Sequence, residues 1–414
     1  MISQLLVENY KSIQELEMEL GRVTVLIGAN GCGKSNILEA VALCSAAASN
    51  KLDHEFLASR GIRVPDNPHF MRSAFEAKHT EENITIAVSG LQDKETEADD
   101  TAEEKLFHCV LQNKDNSPYS VWSNISPIWN ETATSQLTRA QGMLRLLQEI
   151  VQNNPERLKD NPDLSEKLAS ISVDVDEAKT SIDKLKQMKL RPSELQDFLI
   201  YSPENTSLRT FETERQIQPL GIKGEGLFKL LSVLSTEKNM ERLAEIKKEM
   251  ILLDWFDDFE VVPGASKGER NINIRDKYLD DKLSYFTQKS ANEGFLFLLF
   301  YFTLFISRET PSFFAIDNID ASLNPKLCSR LLIELVELAK AHDKQAIVTT
   351  HNPAVLDGLD LNDDDQRLFV VSRNKLGHTK VKRVRKQESL PDQEPVRLSE
   401  AFLRGYLGGL PRNF

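Results

Sequence analysis

An α/β fold, with a mixed sheet flanked by helices, an antiparallel β region and an inserted helical arm, is predicted by three features of this 414-residue sequence. Residues 21–40, GRVTVLIGANGCGKSNILEA, pass from an apolar strand through a glycine-rich loop into a helix. The C-terminal third alternates apolar strands with amphipathic helices, the pattern of a parallel sheet with helical crossovers. Between these regions, apolar residues recur at alternating spacings of four and three over 164–185, a helical period.

Residues 3–9 followed by Lys11-Ser12-Ile13 read as a first strand and turn, and Val23–Ile27 as the strand that feeds the loop. The loop itself, GANGCGKS, fits G-x-x-x-x-G-K-[ST] at every fixed position. Gly28, Gly31 and Gly33 allow a tight concave path, so that successive N–H groups and the positive end of the following helix face phosphate oxygens. Lys34 can then reach the β- and γ-phosphates and the Ser35 hydroxyl can ligate magnesium. A glycine-rich turn with a chance Lys-Ser is the ordinary alternative. The strand before the loop and the apolar helix Ile37–Val41 after it favour a nucleoside triphosphate site. Cys32 reads as a small filler between two glycines, where oxidation would block nucleotide entry.

Strand-like runs at Ile84–Val88, Leu106–Leu111 and Tyr119–Trp122 suggest an antiparallel region, with the acidic stretch Asp93–Glu104 as a solvated connection. From Gln136 to Arg191 the pattern is helical. Leu164, Leu168, Ile171, Val175, Ala178, Ile182 and Leu185 form a seam of roughly three heptads that Met143–Val151 could pair with, although an ordinary amphipathic helix packed on the main body has the same pattern. The expected division is residues 1–134, a helical insertion at 135–197, and residues 198–414. In the last part, FLIYSPENTSLR (198–209), GIKGEGLFKLL (221–231) and a charged helix around Asn239–Leu253 precede Phe313–Ile316, Leu331–Ala339, Gln345–Thr349 and Leu368–Ser372. The most apolar run, Phe295–Ile306, has 12 residues, which is too short for a helical membrane span and suits a buried helix.

The 40% apolar and 28% charged content is that of a soluble globular protein, and the N-terminus shows no basic start followed by a long apolar stretch. A cytoplasmic protein without a membrane partner is expected. Cys32, Cys44, Cys109 and Cys328 lack paired spacing, against a disulfide framework or zinc site. A net charge of −12 argues against a broad nucleic-acid-coating surface. Local contacts remain open at the basic run Lys380–Lys386, which also suits a charged edge strand. Arg60 and Arg72 are candidate phosphate or DNA contacts, or surface arginines with no special role.

A second half of the site is supplied by Asp317, a carboxylate at the end of the apolar strand Phe313–Ile316 and 283 positions after Lys34. With large insertions between these parts, LLVENYKSI and GANGCGKSN, FFAIDNIDASLNP, IVTTHNP and the terminal LSEAFLRGYLGGLP together resemble the ABC-type ATPase heads of the SMC, RecF and OLD-like group, a P-loop NTPase fold. Within it the chain is similar to bacterial predicted AAA-family ATPases, several of which act in anti-phage defence. The resemblance implies ATP and Mg2+ as cofactors, held by Gly28, Asn30, Gly31, Cys32, Gly33, Lys34, Ser35 and Asn36, with Ser35 and Asp317 on the metal. It further implies Asp317 as the Walker B acid, ASLNP (321–325) as the D-loop and His351 as the γ-phosphate switch. Ser290-Ala291-Asn292-Glu293-Gly294 takes the place of the signature, so that Ser290, Asn292 and Gly294 would contact ATP held by the other subunit.

Two positions depart from that pattern. Asn318 stands where the water-polarising glutamate is usual, and an amide orients water but accepts no proton at neutral pH. Asn292 stands where serine is usual. Hydrolysis is then slow, or Asp320 or Glu293 takes over the role. The resemblance implies a homodimeric nucleotide switch, or a higher homo-oligomer, governing a separate nuclease or toxin effector. The alternatives are a RecF- or SMC-like repair ATPase that binds DNA directly, and a scaffold whose ATP is structural.

Overall fold

The computed structural model describes residues 1–73, 75–90, 105–115, 117, 120–126, 192–210, 219–262, 271–280, 282–385 and 396–410. The expected arm at 135–197, apart from its last residues, and the acidic connection Asp93–Glu104 lie outside the described residues.

Strands buried at every position need cover on both faces, and four such strands, Val23–Ile27, Ile200–Tyr201, Phe313–Ile316 and Gln345–Thr350, lie in the central sheet. Its members are β3 (Val23–Ile27), β7 (Ile200–Tyr201), β11 (Phe313–Ile316), β12 (Gln345–Thr350), β13 (Gln366–Arg373) and β14 (Thr379–Val384), in the order β14-β13-β3-β12-β11-β7. All neighbouring pairs are parallel except β13 with β14. Period-two alternation sends successive side chains to opposite faces. Val23, Val25, Ile27, Phe314, Ile316, Ala346 and Val348 therefore enter one core, and Leu26, Phe313, Ala315, Ile347 and Phe369 the other.

The second core is closed by α1 (Lys34–Ala48) and by an antiparallel sheet in the order β2-β1-β4-β5-β6. Its strands are β1 (Ile2–Tyr10), β2 (Ile13–Glu19), β4 (Ile84–Gly90), β5 (Lys105–Gln112) and β6 (Ser123–Asn124). Two short helices, α2 (His54–Ser59) and α3 (Pro192–Gln196), stand beside α1. Of the expected strand Tyr119–Trp122, Tyr119 lies outside the described residues and 120–122 are corrected: they form no strand, and pairing with β5 begins at Ser123. Trp122 is instead buried beneath the guanidinium of Arg72, 4.9 Å from its ring centroid.

The first core is closed by α5 (Leu227–Leu234), α6 (Met240–Met250), α7 (Glu293–Ile306) and α8 (Pro325–Ala341), with α4 (Asn205–Arg209) packed on α7. In α7 every residue from Phe295 to Ile306 is buried, as a helix apolar all round requires. A three-stranded sheet, β10-β9-β8, from β8 (Phe256–Val262), β9 (Asn271–Asp276) and β10 (Phe286–Thr287), sits beside it. A last helix, α9 (Leu398–Leu403), packs on the turn Pro353–Gly358. Among the described residues no helix is long and apolar enough to cross a membrane.

Candidate functional site

The loop 28–35 leaves β3 at the carboxyl edge of the central sheet and enters α1 at Lys34. Gly33, the residue before the helix, has φ 110° and Gly31 has φ 73°, backbone that other residues seldom adopt. A Cβ on Gly28 would overlap the Val371 carbonyl oxygen, and one on Gly33 the Thr379 hydroxyl. The concave path read from the sequence is thus enforced by neighbours as well as by φ.

Lys34 is buried, and its Nζ donates to the carbonyl oxygens of Gly28 (2.8 Å) and Ala29 (3.2 Å). Burial lowers its pKa, with Cys32 and Asp317 acting in the opposite direction. The Lys34 ammonium also lies 3.4 Å from Nδ1 of His351, which follows β12. Desolvation first and the charge of Lys34 second push the imidazole pKa down, which favours a neutral ring at pH 7.

Asp317 meets this group from the end of β11. Its Oδ2 accepts a hydrogen bond from Ser35 Oγ at 3.0 Å, across 282 positions of chain, and its Oδ1 accepts one from Thr349. Strand β12 lies between β3 and β11, so the three carboxyl ends deliver Ser35, His351 and Asp317 side by side. A divalent cation suits the paired oxygens of Ser35 and Asp317, and the glycine cradle with Lys34 suits a polyphosphate.

The remaining candidates fall in two groups. Cys32 is buried with Sγ 3.9 Å from Lys34 Nζ, and Asn36 donates to Ser12 (2.6 Å) and accepts from Arg63 (3.0 Å). Asn30 is exposed on the loop crest. Ser290, Asn292 and Gly294 lie elsewhere: among the described residues no hydrogen bond joins them to the phosphate loop. Asn292 caps α7 through Phe295 N (2.8 Å), and Glu293 accepts from Ser322 (2.6 Å) and Asn205 (2.7 Å), so this segment is fastened to the 321–325 loop. Since asparagine and serine cap helices equally well, the capping geometry tolerates the departure at 292.

A family described as "AAA domain, putative AbiEii toxin, Type IV TA system" matches residues 23–357. The chain belongs to this AAA family. No curated protein matches it. Among solved structures, this AAA chain is similar to an Smc head bound to the C-winged helix domain of ScpA, with 15% identity, 93% of this chain and 98% of that one covered, and a TM-score of 0.53. It is also similar to the Smc head with an extended coiled coil bound to the C-terminal domain of ScpA from Pyrococcus furiosus (13% identity, 93% and 96% covered, TM-score 0.49). The Smc head of Thermotoga maritima matches at 16% identity, with 93% and 99% covered and a TM-score of 0.42. The first of these shows the fold, that of an Smc head.

Several residues at the candidate site of this AAA chain carry no motif. Ser12 and Thr379, 2.7 Å apart and 367 positions distant, meet beneath Gly33, and Thr379 also donates to the Cys32 carbonyl. Thr349 holds both the Asp317 carboxylate and, at 2.9 Å, the Asn318 N–H. The adjacent Thr-Thr before His351 was the available sign. Arg60 and Arg72 require correction, because neither is a surface residue. Arg60 is buried and donates to Phe198 O (2.7 Å) and Ser45 Oγ (3.0 Å), and buried Arg72 donates to Asn113 O (2.8 Å). Both guanidiniums are committed to holding chain segments together.

Proposed function

We propose that this ATPase head binds MgATP and hydrolyses it slowly, working as a dimeric nucleotide switch that regulates a separate effector in bacterial anti-phage defence. The observation that carries the nucleotide half is the 3.0 Å bond between Ser35 and Asp317, with Lys34 and His351 at the same point.

In this reading the backbone of residues 28–35 and the start of α1 bind the phosphates, Lys34 exchanges its two carbonyl partners for phosphate oxygens, and Ser35 and Asp317 hold Mg2+. When bound, Mg2+ would neutralise charge on the phosphates. Thr349 orients Asp317, and the neutral imidazole of His351 has an N–H to donate to a terminal phosphate. Asn318 can position water without taking its proton. Asp320 already accepts from Thr350 Oγ1 (2.6 Å) and His351 N (3.3 Å), and Glu293 from Ser322 and Asn205, so both substitutes for a base are engaged. Loss of a general base removes about 10²–10⁴-fold in rate, which supports a clamp more than a rapid motor.

The pairing of heads is supported by the Glu293–Ser322 bond, which makes the signature-like segment and the 321–325 loop one unit. Such a unit can answer a second copy's nucleotide by closing or opening. The family description, which names a toxin of a toxin–antitoxin system, supports the defence setting, and the Smc head solved with a ScpA domain supports a separate protein partner.

The test is ATP binding and turnover by the purified chain beside Lys34→Ala, with its mass by light scattering in ATP and in ADP. Binding lost in the variant and a dimer found only with ATP are expected. A parent that ignores ATP would end the proposal. Direct DNA action draws on Lys380 and Lys382, exposed on the edge strand β14, although Arg383 beside them is held by Glu19 and Asp364. Turnover stimulated by DNA would favour that reading. Turnover indifferent to DNA, with a nuclease or toxin subunit copurifying, would favour the switch.

A further inference from the structure

We propose that the C-terminal segment 397–410 is a positioning strap, which ties the loop carrying His351 to the phosphate loop and on which nucleotide affinity depends through Gly409. The inference rests on the nucleotide reading of residues 28–35 and adds a structural element to it.

One end of the strap is fixed to the sensor side. The turn Pro353–Gly358 begins two residues after His351, and α9 packs against it. Ser399 donates to both carboxylate oxygens of Asp357, from its N–H at 3.0 Å and its hydroxyl at 2.7 Å. Phe402 is buried, and Leu398 and Leu407 pack on the first core, so the segment is seated by apolar contacts as well as by that carboxylate.

The other end reaches the phosphate loop. Beyond α9 the chain curls through Gly405, Gly408 and Gly409, with φ of 78°, 82° and 81°. The Gly409 carbonyl then accepts the Ala29 N–H at 3.2 Å. Ala29 is the pivot of the loop: its carbonyl accepts Cys32 N at 3.3 Å, closing the first turn, and also takes the Lys34 ammonium. The Ala29 N–H precedes in the chain the N–H groups that open α1, so the strap's contact falls at the entry of the loop.

Glycine at 409 is required for this approach. A Cβ there would overlap Val370 Cγ1 and would lie 3.8 Å from the Gly28 Cα. At Gly408 the φ is nearly the same, yet a Cβ would meet nothing within 4 Å. The two neighbouring glycines thus separate backbone strain from the contact itself.

The experiment compares the parent, Gly408→Ala, Gly409→Ala, Val370→Ala and the double variant Gly409→Ala/Val370→Ala by titration with a fluorescent ATP analogue and Mg2+, with melting of each protein in the absence of nucleotide. The expected result is an affinity roughly tenfold weaker in Gly409→Ala and within about threefold of the parent in Gly408→Ala. The double variant should return to the affinity of Val370→Ala, because the colliding methyl groups are gone. Recovery ties the loss to the Gly409–Val370 contact, and melting of Gly409→Ala that stays near the parent's separates that contact from general destabilisation. Equal weakening by both glycine substitutions, unaltered affinity in Gly409→Ala, or no recovery in the double variant would overturn the strap. If the parent itself binds no analogue, the nucleotide reading fails, whereas binding that is lost in Lys34→Ala and indifferent to Gly409 defeats the strap alone.

Discussion

Asn318 has φ 57°, a left-handed backbone that asparagine tolerates better than glutamate. Its N–H is bonded to Thr349, so the strand-to-loop turn that aims Asp317 depends on that conformation. Asn318→Glu should raise ATP turnover by about tenfold or more, since a carboxylate can accept the proton of attacking water. The same change should lower stability by about 1 kcal/mol through the left-handed backbone. Steady-state hydrolysis and denaturant unfolding measure the two effects separately, and unchanged turnover would mean that another group removes the proton. At this scale the sequence was most legible where chemistry dictates spacing: Gly28 to Ser35 form one loop, and Asp317 ends an apolar strand. It was least legible for Arg60 and Arg72. Their partners, Phe198 O and Asn113 O, lie 138 and 41 positions away, and nothing local records that an arginine will be buried against a distant carbonyl.

Helices and strands were readable where one period dominates. Val23–Ile27 and Phe313–Ile316 are buried throughout and have the bounds that their apolar runs suggest. The run 295–306 is a buried helix because its length exceeds that of a usual strand and its cap, Asn292, stands three residues before Phe295. Trp122 misled the reading because an aromatic residue suits a strand equally well as a ring stacked under a guanidinium. The cap offers a direct test of the helix. Asn292→Ala should cost about 1 kcal/mol by removing the acceptor for the Phe295 N–H. Chemical denaturation reads that loss, and binding of MgATP to a single head should remain near the parent value, because Asn292 has no bond to the phosphate loop. Weakened binding by the isolated head would place the segment at its own nucleotide rather than at a partner's.

Across the whole molecule, the carboxyl ends of β3, β12 and β11 make the site, and the opposite ends of two of these strands are pinned by one buried amine. Lys344 Nζ donates to Thr310 O (2.8 Å), Thr310 Oγ1 (2.9 Å) and Pro311 O (3.1 Å), fastening the approach to β11 beside the start of β12. Sheet order of this kind is invisible locally: adjacency of β3 and β12 depends on pairing residues over 300 positions apart, such as Val25 with Val348. Burial first, and Arg242 second, lower the Lys344 pKa from 10.5 to about 8. In the unfolded chain the amine keeps its ordinary value, so from about pH 8 to 10.5 the unfolded state binds more protons than the folded one, and Lys344 adds stability as pH rises. Below about pH 8 both states are protonated and the cost of the buried charge is constant. Lys344→Met lacks this titration. The stability difference between parent and variant should therefore shift toward the parent by on the order of 1 kcal/mol between pH 7.5 and 9.5. Urea unfolding at the two pH values measures it, with the variant cancelling the titration of all other groups. A difference that stays flat would mean that the three oxygens keep Lys344 charged, and that the lower edge of the sheet is held by an ion rather than by an amine ready to lose its proton.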